Sequence, residues 1–217
     1  MTTQVKLARV LNLLALLALL GVLSGSLHLQ FGQGEPPCPL CLVQRSGMIA
    51  LAVGPLLNLF TGIKVRNYAF AILAACVGGA GSVRQILLHI ATPGDPGYGP
   101  EVFGFHLYTW ADITFLIAVV GISILLMWPG QFTANDRGLL GTPGVMRVLT
   151  ITVAAWYLIY LIAMTIFIIP MCGIGMCPAD PPETNYLPSN GAWLAIGGAG
   201  ILSLLIGIIS NSRMRRR

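Results

Sequence analysis

Six long apolar runs constrain what this chain can fold into more than any other feature of its sequence. They cover about residues 10–30, 42–61, 68–91, 105–128, 148–171 and 192–210. A helix needs roughly 20 apolar residues to cross the hydrocarbon core of a bilayer, and each run has that length. In lipid only helices and closed barrels satisfy their backbone groups, and the runs lack the two-residue alternation of barrel strands. The sequence therefore predicts six transmembrane helices.

The composition is typical of an integral membrane protein. Of its 217 residues, 56% are hydrophobic and 9% are charged, whereas a soluble domain averages about 25% charged residues. The net charge of +5 does not indicate nucleic-acid binding, because the basic residues are scattered or terminal and form no face interleaved with aromatics. We predict an all-α, polytopic membrane helix bundle that forms a single membrane domain over residues 1–217.

The lysines and arginines predict how this bundle is oriented. Ten of the twelve fall on one side of a six-helix chain, together with both termini: Lys6, Arg9, Lys64, Arg66, Arg137, Arg147, Arg213, Arg215, Arg216 and Arg217. Cytoplasmic loops carry the excess of Lys and Arg, so this side is predicted to be cytoplasmic. The opposite loops carry Glu35, Asp95, Glu101, Asp180 and Glu183 and no basic residue. We expect a multi-pass protein of the bacterial inner membrane with both termini in the cytoplasm.

The first apolar run has a second interpretation as a cleaved signal peptide. It has a basic start and small residues at Ser24 and Ser26. Its apolar length exceeds the 7–15 residues of a signal-peptide core, which favours a permanent helix.

Four of the five cysteines form two close pairs, Cys38 with Cys41 and Cys172 with Cys177. The predicted topology places both pairs in outer, periplasmic loops, where disulfides persist. Cys76 falls inside the third helix, where a free cysteine is an ordinary small hydrophobe, and we assign it no role.

Three kinds of site use such pairs. Structural disulfides are one, but a cross-link gains less the shorter the loop it closes, and both of these loops are very short. A four-cysteine zinc site uses similar spacings, but an oxidising compartment and the lack of a soluble module argue against it, and we predict no metal. The spacing favours the third kind, redox disulfides that open and close.

Arg45 lies four residues after Cys41, which places it on the same helix face one turn deeper. Cys41 falls at or near the amino end of the second helix, where unpaired N–H groups and the helix dipole favour a thiolate. A charge at the bilayer centre costs about 2.5–3.5 kcal/mol on insertion scales. Arg45 also breaks the positive-inside pattern, so we favour a functional role for it over snorkelling to the interface.

The stretch "CPLCLVQR", residues 38–45, resembles the cysteine–arginine signature of the DsbB family. These membrane enzymes use quinone to re-oxidise the periplasmic dithiol oxidase DsbA. The stretch "FGFHLYTWADITF" resembles the entry to the family's fourth helix. The resemblance covers residues 10–128, the four-helix core, and leaves residues 147–210 as an additional transmembrane hairpin.

The resemblance implies roles for particular residues. Cys38 and Cys41 would pass electrons to ubiquinone or menaquinone, and Arg45 would stabilise negative charge on the quinone or on the Cys41 thiolate. The family keeps its second cysteine pair in the loop between helices three and four, but residues 92–104 contain no cysteine. We expect Cys172 and Cys177 to substitute for that pair.

The resulting prediction is a quinone-dependent thiol:disulfide oxidoreductase whose partner is a DsbA-like, thioredoxin-fold dithiol oxidase. His89 and His106 lie near the outer ends of helices three and four and are candidates to bind the quinone or move its protons, with a structural interfacial role as the alternative. Arg84 and Asp112 are expected to form a buried ion pair.

Two other classes of protein are compatible with parts of this pattern. A non-enzymatic membrane protein or transporter with structural outer-face disulfides is one, although the chain shows no paired broken helices in two halves. A reductase of the vitamin K epoxide type is another, but its CxxC lies in a later helix of a four-helix bundle, where this chain has none.

Overall fold

The computed structural model describes residues 2–35, 37–94, 97–99, 101–133, 136–139, 143–172 and 191–215, with only the backbone of 169–172 and of residue 167. Its helices are α1 (Thr3–Gly32), α2 (Pro39–Thr61), α3 (Val65–Ala91), α4 (Leu107–Leu126), α5 (Val145–Cys172) and α6 (Gly191–Arg215). Within the described residues, six helices are long and apolar enough to cross a membrane. The six predicted transmembrane helices are therefore confirmed, with bounds that differ from the apolar runs by up to seven residues.

The helices alternate in direction, so the bundle has two chemically different ends. The disulfide end, as we name it, holds the last turns of α1, α3 and α5 and the first turns of α2, α4 and α6. A two-stranded antiparallel hairpin, β1 (Glu101–Val102) and β2 (Phe105–His106), precedes α4 at this end. The termini end holds the opposite turns and both ends of the chain. Cys172 is described by its backbone alone, and Cys177 lies outside the described residues.

The C-terminal hairpin of α5 and α6 packs against α1 and α2. Two tyrosines of α5 bond to α1: the Tyr157 hydroxyl donates to the Leu16 carbonyl at 2.8 Å, and the Tyr160 hydroxyl lies 2.7 Å from that of Ser24. At the disulfide end, the Trp193 ring of α6 stacks on His28 of α1 with centroids 4.2 Å apart. The hairpin is thus joined to the first helix from the middle of α1 to the disulfide end.

Helices α2, α3 and α4 meet at a point where α2 and α3 have room only for glycine. A Cβ built on Gly78 of α3 would lie 2.4 Å from the Cζ atom of Phe115 on α4, and one built on Gly47 of α2 would lie 2.7 Å from the Gly78 Cα. Phe115 is almost fully buried. Two glycines therefore let three helices approach closely near the middle of α3, as small residues do at helix interfaces in membranes.

A polar cluster closes the termini end. Asp136, in the segment between α4 and α5, forms a buried ion pair with Arg9 of α1. Its carboxylate also accepts the backbone N–H groups of Ile63 and Gly138, each at 3.0 Å. Gly138 has φ +71°, and a Cβ there would lie 2.2 Å from the Phe60 carbonyl oxygen, so this turn requires glycine. One carboxylate thereby ties α1 to the connector after α2.

The predicted ion pair between Arg84 and Asp112 is wrong. Arg84 is exposed, Asp112 is half-buried, and the two form no ion pair among the residues that the structure describes. The buried face of α3 runs through Ala75, Ser82 and Gln85 at helical spacing. Arg84 falls beside that face rather than on it, because neighbouring residues of a helix point about 100° apart.

Candidate functional site

Helix α2 begins with a cysteine as its N-cap. The sulfur of Cys38 accepts the backbone N–H of Cys41 at 3.1 Å, which satisfies one of the donors left unpaired at a helix start. Pro39 occupies the first helical position, where its fixed φ suits the helix and its missing N–H costs nothing. The sequence therefore places Cys38 in the positive field of the helix terminus, and Cys41 in the first turn.

Cys38 and Cys41 form a disulfide, with their Cα atoms 5.0 Å apart. The Cys38 side chain is buried, at 6% exposure, whereas Cys41 is half-buried. The third cysteine with a described side chain, Cys76, is exposed on α3 and free.

Arg45 is a buried cation that no described carboxylate neutralises. Its guanidinium is held by α1: Nε donates to the Ser26 hydroxyl at 2.7 Å, Nη2 donates to the Ser26 carbonyl at 3.1 Å, and Nη1 donates to Gln30 Oε1. These bonds use three of the five N–H donors of an arginine. The cation is thus fixed in position and keeps two N–H donors that no described residue takes; Glu35 lines the same cavity, but among the described residues it forms no ion pair with Arg45.

Two cavities flank the disulfide. The first, of about 390 Å³, is lined by Cys41 and Arg45 and by apolar side chains such as Val22, Met48 and Ala111. The second, of about 320 Å³, is lined by Cys38. Among the described residues, Cys38 does not line the first cavity and Cys41 does not line the second. The S–S bond therefore forms part of the partition between them.

Two buried glutamines support the sulfur of Cys38. Gln85 of α3 donates from Nε2 to Cys38 Sγ at 3.2 Å and approaches Cys41 Sγ at 3.9 Å. Gln44 of α2 donates from its own Nε2 to Gln85 Oε1 at 2.8 Å. The sequence analysis missed Gln85, since nothing local signals a contact between residues 47 positions apart.

The two candidate histidines lie together beside the second cavity. The rings of His89 and His106 are 5.4 Å apart, and His106 stacks on Tyr108 at 5.1 Å. His106 also bonds through Nδ1 to the Gly99 carbonyl at 3.2 Å and lies 3.6 Å from the Glu101 carboxylate. His89 lines the cavity of Cys38, and neither histidine is among the described residues that line the cavity of Arg45. Quinone binding by these histidines stays a prediction.

The C-terminal hairpin reaches the first cavity. Trp193 of α6 and its stacking partner His28 both line it. No signal in the sequence connects these two residues, which are brought together by the packing of α6 on α1.

A comparison with known protein families decides what this site belongs to. The profile described as "Disulfide bond formation protein DsbB" matches residues 8–171 of the chain. The chain belongs to the DsbB family. The match extends past residue 128, where the motifs ended the resemblance, and stops just before Cys172. The family resemblance predicted from "CPLCLVQR" is confirmed, and DsbB-family proteins are helical membrane proteins of disulfide bond formation.

Curated DsbB relatives support the assignment. Proteins named "Disulfide bond formation protein B" include one from Pseudomonas syringae pv. tomato, 28% identical over 170 residues that cover 76% of this chain and 88% of the relative. Another, from Burkholderia pseudomallei, is 27% identical over 156 residues, covering 55% of this chain and 89% of the relative. A third, from Aromatoleum aromaticum, is 28% identical, with coverage of 70% and 84%. No solved structure matches the chain.

Family membership fixes the general chemistry. The chain is a multi-pass membrane protein of the thiol oxidoreductase kind, and Cys38–Cys41 is the disulfide found among the residues that the structure describes. The disulfide, its two flanking cavities and the buried Arg45 lie together at one end of the bundle.

Proposed function

We propose that the chain oxidises a periplasmic dithiol protein of the DsbA-like, thioredoxin-fold kind and passes the electrons through Cys38–Cys41 to a membrane quinone. The observation that carries this proposal is the placement of the two sulfurs. Cys41 opens to the cavity that holds the buried guanidinium of Arg45, and Cys38 opens to a separate cavity.

The first cavity fits a quinone headgroup. Its volume lies in the range of small-ligand pockets, roughly 300–1,000 Å³. Its lining is mostly apolar, with a few convergent polar groups, as such sites require. A bound quinone would supply a two-electron acceptor at this position. Arg45 offers N–H donors to an oxygen that becomes negative there, and its charge favours the Cys41 thiolate.

In the proposed reaction, the partner dithiol is oxidised on the side of Cys38 and the quinone is reduced on the side of Cys41. A partner dithiol becomes a disulfide, and its two electrons break the Cys38–Cys41 bond, leaving two reduced cysteines. Arg45 then stabilises the negative charge of Cys41 facing the first cavity. Two electrons leave through that cavity together with two protons, and the Cys38–Cys41 bond re-forms. Ubiquinone and menaquinone both satisfy this balance.

The second cysteine pair is proposed as the entry point for the partner. Cys172 and Cys177 would exchange first with the dithiol protein and then with Cys38–Cys41, replacing the pair that the family keeps between helices three and four. The disulfide end would face the periplasm and both termini the cytoplasm, in agreement with the ten basic residues predicted at the termini end.

The decisive test of the proposed function is quinone reduction by purified protein supplied with a reduced, thioredoxin-fold dithiol protein. We expect loss of the quinone absorbance with the wild-type chain and no turnover with Cys41→Ser. Cys76→Ser is the matched control, because it removes a thiol outside the site. An inactive wild-type chain, or a fully active Cys41→Ser variant, would exclude the reaction.

The role of the second pair has its own test. A Cys172→Ala/Cys177→Ala variant should lose oxidation of the protein dithiol while still oxidising a small dithiol such as dithiothreitol, which reaches Cys38 without a relay. If the protein dithiol is oxidised at the normal rate, the second pair is not on the electron path.

A further inference from the structure

The environments of the two sulfurs differ in one respect that the proposed reaction does not use. Cys38 Sγ accepts two hydrogen bonds, from the Cys41 backbone N–H at 3.1 Å and from Gln85 Nε2 at 3.2 Å. The Gln85 amide is nearer to Cys38 than to Cys41, which it approaches at 3.9 Å. The donors are therefore concentrated on one sulfur of the pair.

Gln85 is held in the orientation that aims its N–H group at this sulfur. Its carbonyl oxygen is occupied by the Gln44 amide at 2.8 Å, so the amide group cannot turn without losing that bond. Gln85 and Gln44 are both buried, at 7% and 5% exposure. A buried amide that loses its partner costs free energy, which keeps the Gln44–Gln85 pair in this arrangement.

A sulfur in a disulfide is a weak acceptor, whereas a thiolate is a charged one and binds N–H donors about twice as strongly as a neutral group. The bond from Gln85 therefore strengthens when the Cys38–Cys41 bond is broken. A group that binds the reduced form better than the oxidised form makes the disulfide easier to reduce.

We propose that Gln85, oriented by Gln44, is a positioning residue that stabilises Cys38 as a thiolate after the disulfide opens. Cys38 is then held charged at the helix start, ready to re-form the bond with Cys41. Arg45 stabilises a negative charge on Cys41, and Gln85 stabilises one on Cys38. This inference deepens the proposed function and rests on it for its meaning in the reaction, but not for its test.

The first measurement is the pH dependence of alkylation of Cys38 in a Cys41→Ser background, followed by mass spectrometry of the Cys38 peptide. Replacing Gln85 with Leu removes the donor, and replacing it with Glu keeps the shape but places an oxygen where the N–H group was. Gln85→Leu should move the midpoint of alkylation to higher pH by about one unit, the worth of one hydrogen bond to a charged group. Gln85→Glu should move it further in the same direction, because an ionised carboxylate also repels the thiolate. Gln33→Leu, at an exposed glutamine after α1, should leave it unchanged.

The second measurement is the equilibrium of the Cys38–Cys41 disulfide with glutathione in the absence of quinone. With Gln85→Leu, the bond should be half oxidised at a ratio of oxidised glutathione to the square of the reduced glutathione concentration about tenfold lower than in the parent chain, because each disulfide exchanges with two glutathione thiols. A merely structural role for Gln85 would change the folded fraction without this shift.

Either result is independent of quinone turnover. Gln85→Leu and Gln85→Glu variants that keep both the alkylation midpoint and the glutathione equilibrium of the parent overturn the inference. Shifts in both, in a chain that fails to reduce quinone, would uphold the role of Gln85 at the disulfide and exclude the proposed function instead.

Discussion

Arg45 combines two properties that are costly together in a membrane helix, a full charge and burial without a described counter-ion. Its three bonds to Ser26 and Gln30 fix the guanidinium without placing a described carboxylate in contact with it. Under the proposed function, this charge would stabilise the negative charge that develops on Cys41 or on the quinone. The spacing of Cys41 and Arg45 predicted their common face, but not the anchoring residues, because a pairing between two helices leaves no mark on either alone.

Changing Arg45 to Lys should impair the quinone side of the reaction and spare the thiol side. Lysine keeps the charge but lacks the planar guanidinium group whose N–H donors bind Ser26 and Gln30 at the same time. Because bonds to charged groups are worth roughly 1.5–3 kcal/mol, we expect kcat/KM for quinone to fall about ten- to hundredfold. The KM for the dithiol protein should stay constant in steady-state kinetics.

Arg84→Lys is the matched control for this change, because Arg84 is an exposed arginine of the neighbouring helix α3. An Arg45→Lys variant with unchanged kcat/KM for quinone would remove Arg45 from the site. A loss of similar size in Arg84→Lys would show that the effect is not specific to Arg45.

Asp136 makes stability depend on pH at the termini end. Burial raises the pKa of its carboxyl, but the N–H groups of Ile63 and Gly138 and the charge of Arg9 outweigh burial and lower the pKa below its ordinary value. A carboxyl with a lowered pKa stabilises the fold above the unfolded-state pKa of about 3.9, and this contribution is lost as the pH falls through the folded-state pKa.

Asp136→Asn should therefore destabilise the protein at pH 7 by about 3–5 kcal/mol, because it removes the carboxylate from a buried ion pair. Thermal unfolding in detergent measures the effect, and the difference from the parent chain should shrink below about pH 4. Asp112→Asn, at a half-buried carboxyl with no described ion pair, provides the comparison. Equal stability of Asp136→Asn and parent at pH 7 would contradict this account.

At the scale of the helices, hydropathy alone predicted the number, order and approximate bounds of all six, since a membrane-crossing segment is defined by its own length and apolarity. Their mutual packing was not predictable in this way. Gly47 and Gly78 occupy ordinary places in their helices and have negative φ, so their role arises from the neighbour each one meets. The mistaken Arg84–Asp112 pair has the same origin, because two helices of known order can still face each other at any rotation.

Gly78→Ala tests the close approach of α2, α3 and α4. The added methyl group would meet the Phe115 ring at 2.4 Å in a buried position, and overpacking of this kind costs about 1–3 kcal/mol. Gly79→Ala is the matched control, since a Cβ there makes its nearest contact with Phe115 at an ordinary 3.5 Å. We expect a lower unfolding temperature in detergent for Gly78→Ala alone, partly restored by Phe115→Leu. Equal effects of the two alanines would count against the steric argument.

At the scale of the whole molecule, the C-terminal hairpin is joined to the site and not merely appended to it. Its helix α6 brings Trp193 to His28 and to the wall of the Arg45 cavity. The sequence marked residues 147–210 as an addition to a four-helix core, but it could not indicate that this addition would reach the cavity, because the contact joins the two ends of the chain.

Trp193→Ala should raise the apparent KM for quinone without changing the KM for the dithiol protein. Removing one aromatic ring from the cavity wall should weaken quinone binding by about 0.5–1.5 kcal/mol, which corresponds to roughly a two- to tenfold increase in KM. Leu194→Ala is the control, since Leu194 is 77% exposed and lies outside the cavity lining. An unchanged KM for quinone in Trp193→Ala would show that the hairpin contributes to packing alone.

The two sulfurs of the Cys38–Cys41 disulfide face different cavities, which gives the two reactants separate access to the bond. A partner thiol that reacted with a quinone directly would bypass Cys38 and Cys41, so separate access for the two reactants keeps the electron path through the disulfide. Here a thiol that reaches Cys38 and a ligand that lies beside Cys41 occupy different chambers. Under the proposed function, the disulfide would let two electrons pass from a thiol to a quinone while the two reactants bind in different cavities.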